Sequence, residues 1–341
     1  MTAASTHSAL TDSMLAAVET ELRKHVGRFD SPATRPFHEM LAYHLGWATS
    51  ADEAASPGKR IRPLLLLLTN AACGGEWQHA LPAAAAFELI HNFSLVHDDI
   101  QDASETRRGR VTVWRRWGAP MAINVGDALF VLSSSAILDL GEHHAADIVV
   151  EAARVLHDGT LEITRGQYLD LAYEDRADLA IEEYWTMIAG KTAALLAASA
   201  RLGALLAGVE PAVQELYRLF AHHLGLAFQV QDDILGIWGD EALTGKSTAS
   251  DLVARKKSLP ILLGLEKGAG FAKRWAEGPI TEAEAPRVAE MLAADGARQR
   301  ADSAGREQMQ KAMDHLARAG AVNEAGQELG RLARALVDRK A

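Results

Sequence analysis

Residues Phe87 to Asp102 read FELIHNFSLVHDDIQD. Apolar residues recur there at three- and four-residue spacing, the period of a helix with a buried face, and the pattern ends in Asp98, Asp99 and Asp102. Asp98 and Asp102 are four apart, so on a helix their carboxylates share one face and repel by roughly a few tenths of a kcal/mol. The apolar neighbours raise that cost, and the spacing asks for a cation between the two groups. Oxygen donors alone suit a hard ion such as Mg²⁺, which typically bridges carboxylates to a substrate phosphate. A solvated helix end would carry the same letters.

A second stretch, Phe228 to Asp240, reads FQVQDDILGIWGD and again closes a long apolar helix with adjacent aspartates, Asp232 and Asp233. Carboxylates near a helix C-terminus oppose the macrodipole, so each cluster costs stability that bound cations could offset. Two such clusters suggest two facing walls of one acidic cavity. Basic groups complete the set. Lys59, Arg60 and Arg62 lie in a turn before a helix, and Arg107, Arg108 and Arg110 follow the first aspartates closely. Arginine forks and lysine charges suit phosphate oxygens, and Lys191, Lys246, Lys256 and Lys257 are further cationic points.

Outward from these stretches the helical period continues through Met14 to Val26, Asp147 to Leu156, Ile181 to Leu206 and Val213 to Ile237. Alanine and leucine dominate and β-branched runs are scarce, which predicts an all-α fold of about a dozen helices with no strand. Gly and Pro breaks at residues 56–58, 73–75, 108–109, 118–120, 208–211, 239–246 and 268–270 separate the helices. None resembles an interdomain linker and no long-period repeat is visible, so one domain over residues 1–341 is the simpler reading.

With 48% hydrophobic and 23% charged residues, the 341-residue chain is neither disordered nor collagenous. Its formal net charge of −10 gives no basic face for nucleic acid. The single cysteine, Cys73, cannot form an internal disulfide, which fits a reducing, cytoplasmic setting. The N-terminal residues have no basic-then-apolar signal pattern. The longest apolar stretches, Leu64 to Leu68 and Ala193 to Ala207, are too short to span a bilayer or are interrupted by Arg201, so no transmembrane helix is expected. His91 and His97 are six apart and face different sides of a helix, and no zinc spacing, P-loop, dinucleotide fingerprint or GxSxG is present.

In this order, GKRIRP (58–63), ELIHNFSLVHDDIQDASETRRGR (88–110), GDALF (126–130), GQYLD (166–170), GKTAALL (190–196), FQVQDDILGIWGD (228–240), TGK (244–246) and SDLVARKKSLP (250–260) resemble the trans-polyprenyl diphosphate synthases, most closely the bacterial geranylgeranyl and farnesyl diphosphate synthases. The resemblance covers roughly residues 56–262 and implies a helical bundle of the isoprenoid synthase type with a central cavity. It implies that Asp98, Asp102 and Asp232 hold Mg²⁺, three ions in all, against an allylic diphosphate. Arg107, Lys191, Lys246 and Lys256 would contact that diphosphate. Lys59, Arg62, His91 and Arg108 match the isopentenyl diphosphate site, and Thr192 with Gln229 would lie beside the allylic cation. Phe93 and Ser94 match the chain-length position, where an aromatic floor implies C15 to C20 products, C20 being favoured. A homodimer is the family expectation. One position departs: Gly236 stands where the family's second motif has its last aspartate. The rival readings are a terpene cyclase on the same fold, which would not need the isopentenyl site, and a non-catalytic subunit of a heteromeric synthase, which need not keep both acidic clusters.

Overall fold

A computed structural model describes residues 8–47, 58–239 and 249–337. The expected helices are present: α1 (Ala9–Val26), α2 (Arg35–His44), α3 (Ile61–Ala72), α4 (Leu81–Gln101), α5 (Val113–Trp117), α6 (Ala119–Leu138), α7 (Ala146–Tyr173), α8 (Ile181–Ile188), α9 (Ala194–Leu206) and α10 (Pro211–Trp238). They are followed by α11 (Ser250–Val253), α12 (Leu259–Lys267), α13 (Gly270–Ala276), α14 (Ala285–Ala294), α15 (Ala297–Arg318) and α16 (Glu324–Val337). The residues gather into two compact units. One is drawn from 1–158, 198–215 and 321–329, the other from 159–197, 216–320 and 330–341, and α7, α9 and α10 contribute to both.

In the first unit Leu64 to Leu68 are all at most 2% exposed. Five consecutive leucines cover every side of a helix, so α3 is buried all round, and each side chain contributes about 1.5–3 kcal/mol of transfer free energy. Gly203 of α9 crosses it closely, because a Cβ there would collide with the Leu66 carbonyl, and Asn70 Nδ2 donates to Gly203 O at 3.1 Å. At Gly126 of α6 an added Cβ would strike the His97 ring of α4, so GDALF is a close helix crossing.

One expectation needs correction, and a second meets a further observation. The structure has a two-stranded ribbon, β1 (Thr106–Arg107) paired antiparallel with β2 (Arg110–Val111). Arg108 and Gly109 link them with φ of 51° and 76°, the two positive values of a type I′ hairpin turn, a signal too short for periodicity to register. Second, the runs Ala119–Glu142 and Ile181–Leu206 are long and apolar enough to cross a membrane by length and composition, with 44% and 67% of their apolar windows buried. Charged residues interrupt both: Asp127 and Asp139 in the first, Glu182, Glu183, Lys191 and Arg201 in the second. A core helix of a globular protein passes the same test.

The core of the second unit is built on Met187, Ile188, Val230, Ile234, Leu262 and Phe271 with their neighbours. Between α8 and α9, residues Ala189–Ala193 form one π-helical turn. Glycines let other helices press against it: a Cβ at Gly166 of α7 would lie 2.5 Å from Lys191 Cα, and one at Gly225 of α10 would lie 2.6 Å from Ala193 Cα.

Candidate active site

In the first unit α4 carries the first acidic motif to its C-terminal end, where the Asp102 backbone N–H closes on Asp98 O at 2.8 Å. The three aspartates then diverge in role. Asp99 is 2% exposed and accepts from Arg107 Nε at 2.7 Å, whereas Asp98 is partly exposed and Asp102 exposed. Burial pushes the Asp99 carboxyl up, against the pull of Arg107. The hairpin turn that sets Arg107 also sets Arg108. Its guanidinium lies over the Cα of Gly58, where a Cβ would sit 2.7 Å from Nη1. Gly58 has φ +84°, a conformation that favours glycine, and the absence of a side chain leaves room for that guanidinium.

That contact brings Arg108 to the GKRIRP turn. Arg60, in the left-handed region at φ 46°, turns inward and is held by Glu19 (2.6 Å), Glu88 (2.8 Å) and Leu45 O (3.0 Å). Its neighbour Lys59 is exposed, and the buried Nε of Arg62 has no acceptor among the described residues. Burial and the charge of Arg108 lower Arg62 to about 10, partly opposed by Glu88. Burial, then Arg62, Arg108 and Arg107, hold His91 well below the usual histidine range, so it is neutral. Arg62, His91 and Arg108 are thus near enough to act on one another's charge, and Lys59 lies on the same turn beside Gly58.

His44 was not foreseen from the sequence. Burial and then Arg107, Arg108, Arg110 and Arg60 push its imidazole down to about 3, and it lines a small pocket with Tyr43, Asp99, Arg107 and Arg110. Phe93 packs its ring on Phe130 (centroids 5.3 Å) and edge-on to His97 (4.8 Å), while Ser94 Oγ donates to His91 O at 2.9 Å. His97 Nε2 sits 3.3 Å from Ile123 O, within hydrogen-bonding distance.

In the second unit the π-turn presents Lys191 and Thr192. π-turns inside α-helices are uncommon and cluster at functional positions. Lys191 Nζ is ion-paired with Asp170 of GQYLD. Thr192 Oγ1 donates to Gln229 Oε1 at 2.6 Å, and Gln229 Nε2 donates to Asp233 Oδ1 at 2.9 Å. Asp233, 1% exposed, also accepts from Tyr184 OH (2.7 Å) and the Leu259 N–H (3.0 Å). Lys256 Nζ is 3.9 Å from the same carboxylate. Burial works against the charged form of Lys256, but Asp233, Asp251, Asp170 and Asp232 outweigh it and raise its pKa. Burial, then Asp233, raise the Tyr184 hydroxyl well above its usual value, so it is a fixed donor.

The two motifs therefore share a design. The second aspartate of each, Asp99 and Asp233, is buried in protein hydrogen bonds, while Asp98 and Asp232 are partly exposed. Adjacent helical residues point about 100° apart, so only one of each pair can turn inward. The anchoring residues Asp170, Tyr184 and Glu88 had no role in the sequence reading, although Asp170 and Glu88 lie inside the quoted motifs, and Arg60, read there among the phosphate-suited charges, is instead committed to Glu19 and Glu88. Lys246 and Asp240 lie outside the described residues. Among the described residues one further metal-like group, Glu21, His25 and Asp139, already contains a cation: Lys24 Nζ is 3.0 Å from Glu21 and 3.5 Å from Asp139.

The family pattern described as Polyprenyl synthetase matches residues 47–290. The chain belongs to the polyprenyl synthetase family. It is accordingly a prenyltransferase that makes short-chain trans-prenyl diphosphates. This polyprenyl synthetase is 41% identical over 333 residues to a (2E,6E)-farnesyl diphosphate synthase of Mycobacterium tuberculosis, covering 94% of the chain and 90% of the relative. A geranylgeranyl diphosphate synthase of the same organism is 43% identical over 232 residues, 67% of the chain and 65% of the relative. Among solved structures, a polyprenyl synthetase from Streptomyces coelicolor A3(2) superposes with a TM-score of 0.85 at 36% identity, covering 96% of this chain and 99% of that one. A geranylgeranyl pyrophosphate synthase from Corynebacterium glutamicum, complexed with isoprenyl diphosphate and magnesium, gives 0.81 at 26% identity, with coverage of 97% and 98%.

Proposed function

We propose that this polyprenyl synthetase condenses isopentenyl diphosphate head to tail with an allylic diphosphate and stops at geranylgeranyl diphosphate (C20), farnesyl diphosphate (C15) being the next nearest product. The observation that carries the reading is the packing of Arg108 on Gly58, beside the turn that carries Lys59 and Arg62, with His91 near enough to Arg62 and Arg108 to feel their charge. Guanidinium, ammonium and neutral imidazole donors in one place suit a diphosphate. A terpene cyclase, which ionises one allylic diphosphate, has no use for a second such pocket.

The residues fit magnesium. Asp98, Asp102 and Asp232 are hard oxygen donors, and each motif commits its other carboxylate to protein partners. The Corynebacterium relative binds magnesium with its diphosphate ligand. We read three ions, held by Asp98 and Asp102 and by Asp232; when bound they neutralise charge on the departing diphosphate. The chain's own groups do the remaining work. Lys191, Lys256, Lys246 and Arg107 bind the allylic diphosphate oxygens as the carbon–oxygen bond breaks and its electron pair leaves with diphosphate. Thr192 and Gln229, hydrogen-bonded to each other, direct oxygen dipoles at the allylic cation. The isopentenyl double bond attacks that cation, and the proton then lost passes to the released diphosphate. Neutral His91 serves as a hydrogen-bond donor to substrate.

Product length follows from α4. Phe93 precedes Asp98 by five residues, about 7.5 Å along the helix, and Phe130 backs its ring at 5.3 Å. A floor at that depth, with the small Ser94 beside it, limits growth to short chains. We read the chain as a single domain, in keeping with the three helices its two units share. We also read it as a cytoplasmic homodimer with no transmembrane segment. On α6 the exposed residues Ile123, Val131 and Leu138 lie on one helical face, and on α7 Leu161 and Tyr168 are exposed. A second copy is the occupant we assign to these apolar faces.

The test is mass spectrometry of products made by the purified protein with Mg²⁺, isopentenyl diphosphate and C5, C10 or C15 allylic diphosphate. A ladder ending at C20 supports the whole reading; one ending at C15 corrects the depth of the floor; a cyclic hydrocarbon formed without isopentenyl diphosphate overturns the synthase assignment.

A further inference from the structure

The hairpin that carries Arg107 and Arg108 has little of its own to hold it. Each strand is two residues long, with Thr106 facing Val111 and Arg107 facing Arg110. An isolated two-stranded ribbon is marginal in water, and like charges directly opposite each other weaken it further. Asp99 holds Arg107 on the first strand. The second strand is held from α2.

The holding residue is Tyr43, in the last turn of that helix. Its hydroxyl donates to Val111 O at 2.7 Å, and its carbonyl accepts from Arg110 Nη2. The Arg110 guanidinium lies 4.1 Å from the centre of its ring and the Arg116 guanidinium 4.6 Å. A guanidinium over an aromatic face is attracted by the ring quadrupole, most strongly where water is excluded. The Tyr43 side chain is itself fixed: the residue is 7% exposed, and Trp117 of α5 packs nearly perpendicular to the ring with centroids 5.1 Å apart. One residue therefore grips both members of β2, and β2 pairs with β1, so the anchor reaches Arg107 and the turn at Arg108. We propose that Tyr43 is a positioning residue for both diphosphate sites, holding the hairpin so that Arg107 meets the allylic diphosphate and Arg108 the isopentenyl diphosphate. This rests on the reading that these two arginines bind diphosphates.

The experiment separates the two claims. Steady-state kinetics with Mg²⁺ are measured on full-length wild type, Tyr43→Phe, Tyr43→Leu, Arg107→Ala and Arg108→Ala, varying isopentenyl diphosphate and a C10 allylic diphosphate in turn. Circular dichroism and urea unfolding check the fold. Tyr43→Phe keeps the ring and loses only the bond to Val111, whereas Tyr43→Leu loses the ring contacts as well. Where the competent hairpin becomes a minority conformation, apparent affinity falls in proportion to the fraction that remains. KM for the two diphosphates is expected to rise together, about threefold in Tyr43→Phe and about tenfold in Tyr43→Leu, with kcat changed less. A Tyr43 that merely supports the fold would lower the urea midpoint and the active fraction, reducing kcat at unchanged KM, and that result overturns the proposal. A rise in one KM alone overturns it too. Should Tyr43→Leu not fold, Tyr43→Phe decides alone: a paired rise supports the proposal and unchanged KM values refute it. If Arg107→Ala and Arg108→Ala leave both KM values unchanged, the diphosphate reading of the hairpin fails; if they raise KM while the Tyr43 variants do not, only the role of Tyr43 fails.

Discussion

Gly166→Ala sets two physical effects against each other. In a helix interior alanine is favoured over glycine by about 1 kcal/mol, so propensity alone forecasts a more stable protein. Packing forecasts the reverse. The new carbon would stand 2.5 Å from Lys191 Cα and 2.6 Å from the Gly190 carbonyl carbon. Carbon atoms in ordinary contact are about 3.5–4.0 Å apart, so α7 and the π-turn must separate by about 1 Å. The opposing atoms are backbone, which cannot rotate away. Overpacking then costs the upper part of its usual range, about 3 kcal/mol, leaving a net loss of about 2 kcal/mol. The same shift moves Lys191 and Thr192, and a displacement of about 1 Å in a positioned group costs about 10²-fold in rate. The assay is urea unfolding together with kcat/KM from diphosphate release. Gly141→Ala, which meets nothing within 4 Å, is the control and is expected to be neutral. A Gly166→Ala protein as stable and active as wild type would refute the close-packed π-turn as the reason for both glycines.

Asp98→Ala is expected to abolish turnover while circular dichroism stays native, because the side chain is partly exposed and leaves no core cavity; near-normal Mg²⁺-dependent activity would sink its assignment as a ligand. Phe93→Ala should deepen the tunnel and lengthen the product, read by mass spectrometry, with an unchanged product distribution counting against this position as the floor. Stability should fall on acidification. His44 is held to about 3, and His25 and His91 are also lowered, each chiefly by burial, so below the ordinary value near 6.5 the unfolded chain binds protons that the native state refuses. His44 should cost about 1 kcal/mol between pH 7.5 and 5.5 and more toward pH 3, and His25 and His91 act in the same direction. Urea midpoints at the two pH values measure this, and a midpoint that rises as pH falls would contradict the sign.

Much of the fold was legible because helical period is a local property. Phe87 to Asp102 and Val213 to Ile237 carry it over many turns, and α4 and α10 fall where it predicts. The hairpin at Arg107 to Arg110 was not legible, since two-residue strands have no period and their turn depends on Arg108 accepting a positive φ. The paired aspartates were legible as charge, but which member of each pair faces inward was not. That choice depends on Arg107 reaching Asp99, and on Tyr184, Gln229 and Leu259 converging on Asp233. His44 left no mark in the sequence because its character comes from four arginines assembled around it.

The amino-acid sequence by itself determined the helical class, the course of α4 and α10, the two acidic motifs and the basic turns, all of which follow from spacing within some twenty residues; α7 runs on to Tyr173 beyond its apolar period, and Ile181 to Leu206 is broken by the π-turn. Tertiary structure decided the rest. It alone stacks Arg108 on Gly58, joins Lys191 to Asp170, and delivers the Asp251 carboxylate to the glycine at 236. The physical reason is the same in each case: the partners are separated along the chain, and only the close approach of folded backbone at a residue without a side chain, or the pairing of buried charges, brings them to contact.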